Sequence, residues 1–184
     1  MNLLAFAASS SKHSINKQLV NYAARLIEGG LLDDTTVKII DLNDYEMPIY
    51  SIDREKAGGI PSAAQEFFDE VGKADALLIS FAEHNGSYTA AYKNIFDWAS
   101  RINARVYQDK PTVLLSTSMG GRGGSNVLAT AVGGGPHFGN DIKGSLSIPS
   151  FSKNFDSESG ALTNPEIDEA FREVLATFAN NGEV

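Results

Sequence analysis

The chain has 184 residues, 42% of them hydrophobic and 21% charged, with a formal net charge of −8 and an isoelectric point near 4.8. These values predict one globular domain over residues 1–184 with one good core. The acidity excludes a nucleic-acid backbone or an anionic membrane surface as partner, though local loop amides can still hold a small anion.

The absence of cysteine excludes disulfides, thiolate metal sites and cysteine nucleophiles. The three histidines, His13, His84 and His137, stand far apart and without ligand spacing, so no metal is expected. The first eight residues, Met1-Asn2-Leu3-Leu4-Ala5-Phe6-Ala7-Ala8, are apolar. They lack a basic leader and are too short to span a bilayer, so they read as a buried strand, with the cytoplasm as the expected location.

Along the chain, apolar runs at 3–8, 37–42, 76–82, 112–116 and 145–148 alternate with helical patterns that begin near Ser14, Pro61, Tyr88, Ser125 and Pro165. Short runs this apolar suit strands covered on both faces. In the first helix Ile15, Leu19, Tyr22, Ala23, Leu26 and Ile27 share one face, and Gly29-Gly30 ends it. Five β-α units predict an α/β fold, a doubly wound parallel sheet with helices on both faces. Five strands favour the flavodoxin-like order 2-1-3-4-5 over the six-stranded dinucleotide type. The connection 43–60 reads as a long irregular loop, of a length that is often functional. Gly133-Gly134-Gly135-Pro136 reads as a helix end.

In such a sheet the loops after strands one, three and four meet at the carboxyl edge, where ligands bind. The first loop, Ser9-Ser10-Ser11-Lys12-His13-Ser14-Ile15-Asn16, has four hydroxyls, a cation and a helix N-terminus. That combination suits a phosphate held through Ser9, Ser11, Lys12, Ser14, Ile15 and Asn16. Ser14 would also serve as an ordinary helix cap with no ligand. The third loop, Ala82-Glu83-His84-Asn85-Gly86, has a tight Asn-Gly turn whose glycine lets a ligand approach the backbone. The fourth, Thr117-Ser118-Met119-Gly120-Gly121-Arg122-Gly123-Gly124, has four glycines in five residues. Its entropic cost is easier to understand if a flat ring lies against bare backbone, although a plain flexible loop is the alternative.

Residues 82–87, Ala-Glu-His-Asn-Gly-Ser, together with Thr89, Lys93, Asn94, Asp97 and Trp98, resemble the Pro-Glu-Tyr-Asn-Gly-Ser segment and following helix of the NADPH-dependent FMN reductases. Ala82 and His84 replace that family's usual Pro and Tyr. Asp-Leu at 41–42, Pro-x-Tyr at 48–50 and Gly-Ile-Pro at 59–61 add to the likeness, which spans about residues 3–150.

The resemblance implies bound FMN, NADPH or NADH as reductant, and a quinone, flavin, azo or metal-oxyanion acceptor. It also implies flavin contacts from the loop-three amides and from Ser118, Gly120, Gly121 and Arg122, with no catalytic acid or base required. It implies, further, a homodimer or homotetramer around the helix bearing Tyr88, Tyr92, Ile95, Phe96, Ala99 and Ile102, with the Tyr50 loop near the partner's flavin. The rival expectations are a flavodoxin-like electron carrier that docks on proteins without using NAD(P)H, and a flavin-free structural or regulatory domain.

Overall fold

The computed structural model describes residues 1–182, with side chains through residue 179. Strands β1 (Asn2–Ala8), β2 (Thr36–Ile40), β3 (Ala76–Phe81), β4 (Lys110–Thr117) and β5 (Asn140–Ile148) form one parallel sheet in the order β2-β1-β3-β4-β5. The expected topology is therefore present, and its switch point lies between β1 and β3.

Successive strand side chains point to opposite faces, and here both faces are covered. Leu4, Phe6, Leu77, Ile79 and Phe81 pack with α3 (Ser62–Lys73), α4 (Ala90–Ile102) and α5 (Ser125–Gly134). Leu3, Ala5, Leu78, Val113 and Leu115 pack against α1 (Ile15–Leu26) and α6 (Pro165–Ala176). Among the described residues no helix is long and apolar enough to cross a membrane.

Four local expectations change. The chain from 43 to 60 is not irregular: Leu42–Tyr45 form a 3-10 turn and α2 covers Ile52–Gly58. The first helix does not stop abruptly at its glycines, because a π turn over Ile27–Leu31 follows and Gly30, at φ 104°, breaks the winding. β5 begins five residues earlier than its apolar run, since as an edge strand it buries alternate residues and its early half reads as polar. Lastly, the stripe of α4 divides: Tyr92, Ile95 and Ala99, with Trp98 beside them, are buried in the chain's own core, while Tyr88, Phe96 and Ile102 are half-buried.

Helix α4 also fixes the 43–60 connection. Asn94 donates from Nδ2 to the carbonyls of Met47 (3.1 Å) and Pro48 (3.2 Å) and accepts from the Tyr50 amide at 2.8 Å. The Trp98 indole N–H donates to the Pro48 carbonyl at 2.7 Å, and the Tyr50 ring meets Trp98 edge-on at 5.0 Å. Two residues that carry the family likeness thus hold a neighbouring segment. Asn94→Leu leaves backbone groups of that segment unpaired, so it should destabilise the fold by about 2 kcal/mol in urea titration. Limited proteolysis should then cut first between 43 and 60.

Candidate functional site

The site starts from how α1 opens. Ser14 is extended (φ −62°, ψ 125°), and its Oγ accepts from the Lys17 amide at 3.3 Å, an ordinary N-cap. The buried Ser9 Oγ accepts from the Ser11 amide at 3.2 Å. Both hydroxyls keep their own protons to donate. The amides of Ile15 and Asn16, in the first helical turn, have no backbone acceptor among the described residues.

The Asn16 side chain has a different role from the one its position suggests. It is buried, donating from Nδ2 to the Thr117 carbonyl (3.2 Å) and accepting at Oδ1 from the Thr117 amide (3.1 Å) and the Ser80 hydroxyl (2.8 Å). Its amide joins α1 to the ends of β3 and β4. What Asn16 offers a ligand is its main-chain N–H.

The third loop is a two-residue hairpin. Asn85 (φ 52°) and Gly86 (φ 78°) both have positive φ, and His84 and Ser87 exchange backbone hydrogen bonds of 3.0 and 3.1 Å. This is the type I′ pattern that Asn-Gly favours. Helix α4 therefore begins only at Ala90, capped by Thr89, whose hydroxyl accepts from the Tyr92 amide at 3.2 Å and donates to the Ala8 carbonyl at 3.0 Å. Tyr88, half-buried against Phe81 at 5.5 Å, has its phenol pushed up by burial and stays neutral.

Glu83 couples loop three to loop four. Helix α5 has no side-chain cap of its own, and the Glu83 carboxylate accepts from the Val127 amide at 3.0 Å. A carboxylate at a helix N-terminus is favoured by the dipole.

The four glycines of loop four divide into two pairs. At Gly123 (φ +59°) a Cβ would stand 2.6 Å from Ser147 Oγ and 2.7 Å from the Ile148 carbonyl, and at Gly124 (φ +77°) it would press on Ser116 Cβ at 3.2 Å. Those two are demanded by packing against β4 and β5. Gly120 has only Ser118 Oγ at 3.9 Å, and Gly121 has nothing within 4 Å. The fold itself does not require them to be bare.

Together the loops enclose a cleft of about 340 Å³ lined by Ser9, Ser11, His13, Ser14, Ile15, Asn16, Ala82, Glu83, His84, Thr117, Ser118 and Met119. Nine of the residues expected from sequence are on that wall. Lys12, Asn85, Gly86, Gly120, Gly121 and Arg122 are exposed and lie outside it. The cleft adds His13, Thr117 and Met119, which the sequence reading did not single out. Each directly neighbours an expected residue, and loop curvature decides which neighbour turns inward. Met119 is 62% exposed, an unusual position for a thioether with nothing over it. Among the described residues no cluster of three His, Cys, Asp or Glu side chains could hold a metal ion.

A parallel sheet of this order, with free helix-opening amides at its switch point and two unconstrained glycines next to the cleft wall at Met119, is a flavodoxin-like flavin-binding architecture. The comparisons agree. The family model for NADPH-dependent FMN reductase matches residues 1–137, and the chain belongs to that family. It is 32% identical to a protein of Oryza sativa subsp. japonica described as a probable NADPH:quinone oxidoreductase, over 97% of this chain and 90% of that one. An NAD(P)H-dependent FMN reductase of Pseudomonas aeruginosa is 30% identical over 65% of this chain and 61% of its own. Among solved structures, the flavoenzyme NAD(P)H:(acceptor) oxidoreductase FerB of Paracoccus denitrificans superposes with a TM-score of 0.75 at 22% identity, covering 97% of this chain and 95% of that chain.

The division of loop four generates a paired test. Gly123→Ala should destabilise the protein by about 2–4 kcal/mol through strain and overlap. Gly121→Ala should unfold at the wild-type urea midpoint while binding FMN several-fold more weakly. Equal stability losses for the two variants would contradict the division.

Proposed function

We propose that the protein is an FMN-dependent oxidoreductase that takes reducing equivalents from NADPH or NADH and passes them to a small acceptor of quinone, flavin, azo or metal-oxyanion type. The observation that carries this reading is the cleft: unpaired amides of α1 stand on one side, and glycines that the fold does not require lie beside the other. An isoalloxazine nucleotide matches both features, with its phosphate at the helix and its flat ring toward the glycines. Bound FMN would supply a ring able to accept hydride from nicotinamide and return electrons to a second molecule.

The chain's own residues bind and orient. The first-turn amides and dipole of α1 attract the phosphate, and the hydroxyls of Ser9, Ser11 and Ser14 donate to it. The amides of Asn85 and Gly86 are held rigid by the hairpin that His84 and Ser87 close, and suit the polar rim of the ring. Ser118, Gly120, Gly121 and Arg122 would border the ring from loop four. Donors fixed in advance stabilise developing negative charge without reorganising. Residues 1–184 are read as one FMN-binding unit, supported by the two core clusters that flank a single sheet. The need for NAD(P)H supports a cytoplasmic location.

The decisive experiment is anaerobic mixing of the FMN-loaded protein with NADPH and with NADH. Loss of flavin absorbance within seconds, restored by a quinone, is expected. A flavin that stays oxidised would favour the electron-carrier reading instead. A protein that takes up no FMN would leave neither.

We further propose a homodimer, with a tetramer as its extension. The support lies in the 43–60 connection, where Ile49 is 73%, Ile52 48% and Ile60 38% exposed. Exposed aliphatic residues this close together on a well-anchored segment mark an interface. Light scattering should report a dimer at micromolar concentration, and Ile49→Glu with Ile52→Glu should yield monomer.

A further inference from the structure

We propose that His13, and not Lys12, is the basic side chain that meets the phosphate of the bound flavin nucleotide. This rests on the reading that the cleft holds FMN. A phosphate monoester carries nearly two negative charges at neutral pH. A helix N-terminus answers with about half a positive charge, so a basic side chain beside it adds to the attraction.

Five basic side chains belong to the loops and helix turn around the cleft: Lys12, His13, Lys17, His84 and Arg122. Lys17 is engaged by Asp41 at 2.5 Å, and the Lys17 ammonium beside Asp41 holds that carboxyl below its usual range. Lys12 and Arg122, exposed like both histidines, are absent from the cleft wall. His84 lines the cleft, but from the loop-three hairpin, across from α1. That leaves His13, which lines the cleft beside Ser11, Ser14 and Ile15.

The Ser14 amide bonds the Ser11 carbonyl at 3.2 Å, closing a turn with Lys12 and His13 at its tip. Both residues at the tip are exposed, and of the two only His13 lines the cleft. The helix cap consumes the Ser14 acceptor, and the Asn16 amide group is fully committed to Ser80 and Thr117. Imidazole donates from a ring nitrogen in either protonation state, and a charged donor to phosphate makes the stronger bond. The cleft's carboxylate, Glu83, accepts from α5 at Val127, and among the described residues no ion pair joins it to His13.

The test is a set of dissociation constants of FMN and riboflavin for wild type, His13→Gln and Lys12→Gln, at one pH and ionic strength. Riboflavin keeps the ring and lacks the phosphate. His13→Gln should weaken FMN by about tenfold and riboflavin by less than about twofold, the scale of one charge-assisted bond. Lys12→Gln should change both by less than about twofold, and His13→Lys should recover most of the FMN loss. Circular dichroism and urea midpoints matching wild type establish that the variants fold. A Lys12→Gln loss larger than that of His13→Gln, or equal losses of FMN and riboflavin in His13→Gln, would overturn the proposal while the cofactor reading stands. Wild-type protein that binds neither flavin would overturn both.

Discussion

A single buried amide holds the ligand-facing edge together. Asn16 joins the opening turn of α1 to Ser80 near the end of β3 and to Thr117 at the end of β4, with all three bonds between 2.8 and 3.2 Å. Removing it would leave a buried hydroxyl and both polar groups of a buried peptide unpaired, at about 1–3 kcal/mol for each group. More importantly, it sets how far the first loop stands from loop four. Thr89 does the same on the other side, tying the start of α4 to the Ala8 carbonyl at the end of β1. The cleft is thus a consequence of two capping or near-capping residues that reach across strands.

The remaining rigidity comes from sharing. Glu83 of loop three caps α5, and Gly86 lies 3.8 Å, measured from a hypothetical Cβ, from Asn126 of the same helix. Loop four in turn is fastened to the segment after β5: the Ser150 amide bonds Gly120 at 2.9 Å, and the Phe151 amide bonds Ser118 at 3.0 Å. A glycine-rich stretch held this way is not the flexible loop its composition suggests. The carbonyls of Ser118, Gly120, Arg122 and Gly123 all accept from the protein itself.

The sheet was legible in sequence because parallel strands buried on both faces are uninterrupted apolar runs, and all five runs became strands. What was not legible follows from the same logic. Helix α2 has no buried residue, so no periodic stripe marks it; Ser51 accepting from the Arg54 amide, with Asp53 and Glu55 in the first turn, was its only trace. In the site, residue types and loops were readable, and nine expected residues meet on one wall. Side-chain allegiance was not. Asn16 and Glu83 carry polar groups that suit a ligand, yet both are satisfied by backbone across a strand or helix, a pairing no local pattern encodes. The glycines of loop four were read as one group, whereas contacts with Ser147, Ile148 and Ser116 divide them.

The departures at Ala82 and His84 are understandable on this architecture. A proline at 82 would restrict the backbone leaving β3, but here the hairpin closed by His84 and Ser87 already fixes that path. The positive φ values fall on Asn85 and Gly86, residues that tolerate them, so the turn does not depend on its neighbours. Because residue 84 closes the hairpin through its main-chain groups, its side chain is free to vary without dismantling the turn. Its chemistry then acts on whatever occupies the cleft and not on the fold. This separates two kinds of position. Asn16, Glu83, Thr89 and Gly123 build the cleft and tolerate little change, while His13, His84 and Met119 line it and can tune what it holds.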